Sequence, residues 1–196
     1  MIYKTEAEVY DRLQDLQGTH IPSLLAHVEV LDYYASQHVF LPTPTTSDLF
    51  STPDLLLQHI PNAVPLKSLY TTLTPPSVPR VAWQYTVEEA VDIINPIMQH
   101  GIRNNDIHPR NALVFHSGFH NKYKVVMIDF GGCDLRTTES EREWREAEAY
   151  EDQEGAIGRL MECLLTRHCG GGYVYQATAF TKQLEYVYLE ECGARI

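Results

Sequence analysis

Apolar residues recur along the chain with two periods, one helical and one alternating. Val9, Leu13 and Leu16 are spaced for one face of a helix, and Thr5-Glu6-Ala7-Glu8 before them has the form of a capping box, Thr5 accepting from the Glu8 amide while Glu8 reaches back. Gly18 stands where that helix would end. His27 to Leu31 and Leu55 to Ile60 read as short strands, and between them L-P-T-P-T-T-S-D-L-F-S-T-P reads as a surface loop. A second capping box, Thr86 to Glu89, opens a longer helix with Val87, Ala90, Val91, Ile94 and Ile97 on one side. Pro96 should kink it near its end, because the ring removes an intrahelical bond.

Past Gly101 the rhythm shortens. A strand over the Ala112 to Val114 run, a polar connection and a second strand over Val125 to Ile128 make a hairpin. In the connection, His116 and His120 flank Ser117, Gly118 and Phe119. That is half of some zinc-site spacings, but no Cys pair stands nearby, and the turn residues favour a plain strand connection. Ser140 to Glu143 is a third capping box and leads into an acidic helix, with Glu141 four residues before Arg145 and the charge run read as a solvated face. Ile157, Leu160, Met161, Leu164 and Leu165 form one core stripe, and Phe180, Leu184, Val187 and Tyr188 another. Gly170-Gly171-Gly172 after the first stripe reads as a helix terminator and hinge.

At 196 residues the chain suits one domain, or one domain and a fragment. Its formal net charge of −11 argues against nucleic acid or an anionic membrane as partner, since phosphate backbones demand clustered Lys and Arg. Cys133, Cys163, Cys169 and Cys192 show no paired spacing, as expected of a reduced intracellular protein. Neither a signal core nor a bilayer-length apolar run is present, so cytoplasm or nucleus is the expected location.

The chemistry concentrates between His100 and Asp134. Asp106 is followed five residues later by Asn111, and Asp129 ends the apolar run of the second strand, in front of Phe130 and Gly131. The order D-x-x-x-x-N, strand, turn, strand, D-F-G resembles the catalytic core of the protein-kinase-like superfamily, and D-I-H-P-R-N resembles its aminoglycoside-phosphotransferase-like branch. The resemblance implies an α+β, protein-kinase-like fold: a residual small lobe over residues 1–65 (C-helix, two short strands and hinge) and a mostly helical large lobe over 66–196. It also implies ATP and Mg²⁺ as cofactors. Asp106 would orient an acceptor hydroxyl and accept its proton, while Asn111 and Asp129 would hold the metal, which needs few protein oxygens. Phe130 and Gly131 would form the turn beside the nucleotide. Gln58, His59 and Ile60 would flank the adenine through the hinge. Glu6, or else Glu8, would be the C-helix acid that pairs with a phosphate-gripping Lys; an exposed acidic first turn explains either residue equally well.

Some positions depart from the family pattern. Only Met1 to Lys4 precede the first helix, so the Gly-rich loop and strand Lys of the family have no counterpart, and the small lobe is expected to lack its front half. Asn104 stands where the family has a His beneath the D-F-G turn, and its amide would replace that structural bond. His108 replaces the Lys of protein kinases and Arg110 the Gly of the phosphotransferase branch. The former leans towards a small-molecule hydroxyl over a protein acceptor. His108 itself is expected to bond the loop backbone. Asp152 weakly resembles the Asp that braces the catalytic loop from below. Two functions follow: an ATP- and Mg²⁺-dependent phosphotransferase impaired by truncation, or a catalytically degenerate binding or scaffold module. A hydrolase using Asp106 and Asp129 as an acid/base pair is a weaker third. Apolar surface left by the missing strands would favour self-association.

Overall fold

The structure is a computed structural model that describes residues 2–31, 51–70, 78–118 and 123–184. The chain opens with α1 (Ile2–Arg12), which begins a turn earlier than a cap at Thr5 would allow. Thr5 therefore lies inside the helix. The added turn is held from outside, Tyr3 Oη and His27 Nδ1 meeting at 3.0 Å, and Glu8 pairs with Arg12 at 2.7 Å instead of capping. Val9, Leu13 and Leu16 are buried as their spacing predicts. The helix stops before Gly18 because Gln17 Nε2 donates to Tyr10 O at 2.8 Å, satisfying a carbonyl that another turn of helix would have used. Gly18, at φ 75°, takes the turn that follows.

The strand pair β1 (Leu24–Leu31) and β2 (Ser51–Leu57) runs antiparallel, with His27 opposite Leu55 and Leu31 opposite Ser51. Both predicted strands are present, each starting earlier than its apolar run. Leu25, Val30 and Leu56 of this pair are exposed. Most of the Pro- and Thr-rich run between them lies outside the described residues, as do Val187, Tyr188, Cys192 and His120. The chain then enters β3 (Val64–Pro65) and a 3₁₀ turn over Leu66–Tyr70 that buries Leu66 and Leu69.

Next come α2 (Trp83–Asp92) and α3 (Ile94–Gln99). The first of these also starts early, so Thr86 is no cap: its hydroxyl donates back to Ala82 O at 2.7 Å. Trp83 accounts for the shift, being buried and donating Nε1 to Val78 O at 2.9 Å. The predicted kink appears as a break at Ile93, within a turn of Pro96, which has no N–H to give Asp92 O. Val87, Ala90, Val91, Ile94 and Ile97 are all buried.

Four short strands follow: β4 (Ile102–Asn104), β5 (Ala112–His116), β6 (Tyr123–Met127) and β7 (Cys133–Leu135). They form antiparallel ladders, β3-β5-β6 in one sheet and β4-β7 in another, with Ala112 opposite Met127 and Asn104 opposite Cys133. The chain continues through α4 (Glu141–Glu151) and α5 (Gln153–Cys169) to a helical segment over 179–184. Ser140 caps α4 through the predicted capping box, and Gly170, in the left-handed region at φ 70°, ends α5. The acidic helix is only partly a solvated face: Trp144 and Glu148 are buried, and Trp144 Nε1 donates to Glu148 at 2.6 Å. Helices α2 and α5 pack on each other and close one core with β6 and α1. Among the described residues no helix is long and apolar enough to cross a membrane.

Gly158, inside α5, shows what the packing demands. A Cβ there would stand 2.0 Å from Tyr175 Cδ2. Helix propensity alone favours Ala over Gly by about 1 kcal/mol. We expect Gly158→Ala to destabilise by about 1–3 kcal/mol, because the ring must move. A lowered midpoint in chemical denaturation, with unchanged slope, is the measurement; a raised midpoint would contradict the packing.

Candidate active site

The two ladders make the site. Residues 105–111 join β4 to β5, and residues 128–132 join β6 to β7. Because β4 pairs with β7 and β5 with β6, the two connections must lie side by side. Backbone bonds stitch them together: Asn105 N–H donates to Gly132 O at 3.2 Å and Ile128 N–H to Asn111 O at 2.8 Å. Asp106, Asn111 and Asp129 are thereby brought to one place, as the motif order predicts.

Asn104 is the clamp between the two loops. Its buried amide accepts from Asp106 N–H at 2.9 Å and donates to Asp129 O at 3.3 Å, while its own N–H donates to Gln153 Oε1 at 3.3 Å. The amide thus bonds both the Asp106 loop and the turn that carries Asp129. Asp152 does not brace the loop as its resemblance suggested. It sits at φ 42° between α4 and α5, accepts from Gly155 N–H and pairs with Arg159. The bracing falls to its neighbour Gln153, an uncharged residue that no motif singled out.

Asn111 Nδ2 donates to Asp106 O at 3.0 Å and to Asp106 Oδ2 at 3.1 Å, which commits the nitrogen and leaves the amide oxygen for a cation. Asp129 has an exposed side chain and a backbone at φ 66°, a left-handed conformation that Asp tolerates better than most residues and that often marks functional turns. One carboxylate and one amide oxygen are the hard donors that Mg²⁺ prefers, so the residues present fit that ion. Among the described residues no group of three or more His, Cys, Asp or Glu side chains gathers to hold a metal.

Arg110 Nη2 donates to Asp106 Oδ1. That bond holds the Asp106 carboxyl below the ordinary Asp range; desolvation opposes it, and the Asn111 amide adds to the lowering. His108 Nδ1 accepts from Arg110 N–H at 3.0 Å, as expected of a His that bonds the loop backbone. Partial burial and the Arg110 charge keep its imidazole below the usual range, hence neutral at pH 7.

Glu6 reaches this site from α1. Its Oε1 accepts from Phe130 N–H at 3.5 Å, while Tyr10 on the same helix meets the buried Phe130 ring edge-on at 5.8 Å. Of the two acidic candidates it is Glu6 that reaches this turn, while Glu8 pairs with Arg12. Glu6 has no cationic partner among the described residues, and Lys4 is exposed. Burial pushes its carboxyl above the ordinary range, and the charges of Asp129 and Asp54 push it further. The same burial, with Glu6 nearby, raises the Cys133 thiol to about 12. Gln58, His59 and Ile60 follow β2, where Gln58 is tied to Ser23 by two bonds, N–H to O at 2.8 Å and Oε1 from N–H at 3.1 Å. Gln58 and His59 are exposed, and nothing in their contacts singles them out for a ligand.

Neither the protein-family profiles nor the curated proteins contain a match to this chain. Solved structures do resemble it. One, described as WaaP in complex with acyl carrier protein, aligns over 97% of this chain and 70% of that one, with a TM-score of 0.51 and 14% identity. At that identity the likeness shows the fold alone.

Two substitutions test the geometry. Asn104→Ala removes the partner of a part-buried backbone group on each loop and should cost about 1–3 kcal/mol, seen as a fall of several degrees in Tm. Glu6→Gln keeps an acceptor for Phe130 N–H and removes the charge. Because the folded pKa of Glu6 is raised, its protonated form favours folding below the unfolded value near 4.3, and that contribution is lost as pH rises through the folded value. The variant should therefore be more stable than the wild type at about pH 7 and equal to it below about pH 4. A difference independent of pH would contradict the assignment.

Proposed function

We propose that the chain is a kinase-like phosphotransferase domain that uses ATP and Mg²⁺ to phosphorylate a hydroxyl group, with slow turnover. The observation that carries this reading is the pair of ladders that sets Asp106, Asn111 and Asp129 side by side. The kinase-like structural neighbour agrees with it at the level of fold. Phosphoryl transfer leaves little covalent work to the protein, so positioning and charge neutralisation are what such a site must supply.

Asp106 orients the acceptor hydroxyl. It takes the proton as the new oxygen–phosphorus bond forms and the bond to the departing ADP breaks. Its lowered pKa keeps it ionised at neutral pH, ready to accept a hydrogen bond but weak as a base. Asn111 and Asp129 would hold Mg²⁺, which neutralises charge on the phosphates when bound. Phe130 and Gly131 form the turn that carries Asp129, and residues 58–60 are proposed to flank the base. A small hydroxyl acceptor is favoured over a protein one, on the D-I-H-P-R-N form of the loop.

Glu6, which has no cationic partner among the described residues, supports the second reading, a degenerate binding module. The position at which a phosphate-gripping Lys would neutralise Glu6 is instead bordered by Asp54 and Asp129. Loss of one such electrostatic contact commonly costs about a hundredfold in rate.

Thermal unfolding with about 1 mM ATP and excess Mg²⁺ separates the two. A dissociation constant of about 10 μM gives about 2.7 kcal/mol of linkage, or roughly 5–10 °C in Tm. The phosphotransferase reading expects a metal-dependent shift of that order, abolished in Asp129→Ala. Asp106→Asn should keep the shift and lose at least about a hundredfold in turnover. A cooperatively folded chain with no shift favours the binding module.

A further inference from the structure

The loop that carries Asp106 gathers cations in a chain that is acidic as a whole. The formal net charge is −11, yet two cations stand at this loop. Arg110 lies four residues beyond Asp106 and is ion-paired to it. Lys67 is drawn to the same loop by its own N–H, which donates to Pro109 O at 3.1 Å, and its charge and that of Arg110 both bear on His108. Both side chains are exposed. The His108 bond to Arg110 N–H fixes the turn from which the guanidinium projects.

The Arg110–Asp106 pair is open to water, the side chains being 45% and 44% exposed. Pairs of that kind are worth little and exchange easily. A guanidinium carries five N–H donors in a fork that matches a carboxylate or a phosphate, and Asp106 engages it through Nη2. An incoming anion can take the other donors or displace Asp106 from the fork. Displacement returns the carboxylate to the acceptor hydroxyl.

We propose that Arg110 and Lys67 recognise an anionic group, phosphate or carboxylate, on the hydroxyl acceptor, and that docking of this group draws Arg110 off Asp106. The inference rests on the phosphotransferase reading of Asp106. A neutral polyol brings no anion and leaves Asp106 tied to Arg110. The acceptor is accordingly a small hydroxy acid or a phosphorylated alcohol.

The test is calorimetric binding of glycerol 3-phosphate, glycerate and glycerol to the full chain and to Arg110→Gln, Arg110→Lys and Lys67→Gln. It is run with a saturating non-hydrolysable ATP analogue and Mg²⁺, and thermal unfolding reports both folding and the nucleotide shift. The wild type should bind at least one of the two anions at least about tenfold more tightly than glycerol. Arg110→Gln and Lys67→Gln should each lose about tenfold of that affinity with their nucleotide shift intact, and Arg110→Lys should fall between. Stronger binding of glycerol 3-phosphate or of glycerate assigns the anion as phosphate or carboxylate. A wild type that prefers neither anion to glycerol, or anion binding unchanged in both Gln variants, overturns the proposal and, where the nucleotide shift is present, leaves the phosphotransferase reading standing. A wild type with no nucleotide shift overturns that reading and this inference with it.

Discussion

The buried amide of Asn104 is the interaction on which the candidate site depends. It is 2% exposed and ties the Asp106 loop to the Asp129 turn through two bonds of its side chain. A buried amide left without partners would be costly, so the two loops are held in register as long as the core is closed. The ladders β4-β7 and β5-β6 bring the loops near each other, and Asn104 fixes how they meet. Gln153 extends the clamp to the start of α5, which joins the site to the hydrophobic core through Ile157 and Met161.

Charge is divided across the site. On one side Glu6, Asp54 and Asp129 crowd together, and on the other Arg110 and Lys67 flank the loop that carries Asp106. An arrangement of that kind has two consequences. On the proposed reading, nucleotide phosphates would meet carboxylates unless a divalent cation screened them, so binding would depend on the metal. On the same reading an acceptor would meet cations, and that face would prefer anions. The chain as a whole is acidic, so this local gathering of cations is a property of a few placed residues and not of the composition.

The helices and strands were legible because their apolar periods are strong. The faces built from Val87, Ala90, Val91, Ile94 and Ile97, and from Ile157, Met161 and Leu165, are buried where the spacing put them. Helix starts were less legible. Thr5 and Thr86 both have the local form of a cap, but Tyr3 and Trp83 find partners outside the helix and pull each start back by a turn. Ser140 has the same form and does cap, since nothing before it competes. Local chemistry proposes a boundary, and the contacts of the preceding turn decide it.

Sequence alone determined the order of the motif, which residues stand in it and the periodic faces that form the core, because each is encoded within a few neighbouring positions. Tertiary structure decided what depends on residues far apart in the chain. It gave the Asn104 N–H to Gln153 and not to Asp152, brought Glu6 and not Glu8 to the Phe130 N–H, packed Gly158 against Tyr175 and set Lys67 beside the loop that carries Arg110. The physical reason is the same in each case. A side chain's role follows from what the fold packs against it, and those partners lie tens of residues away, where no local pattern reaches.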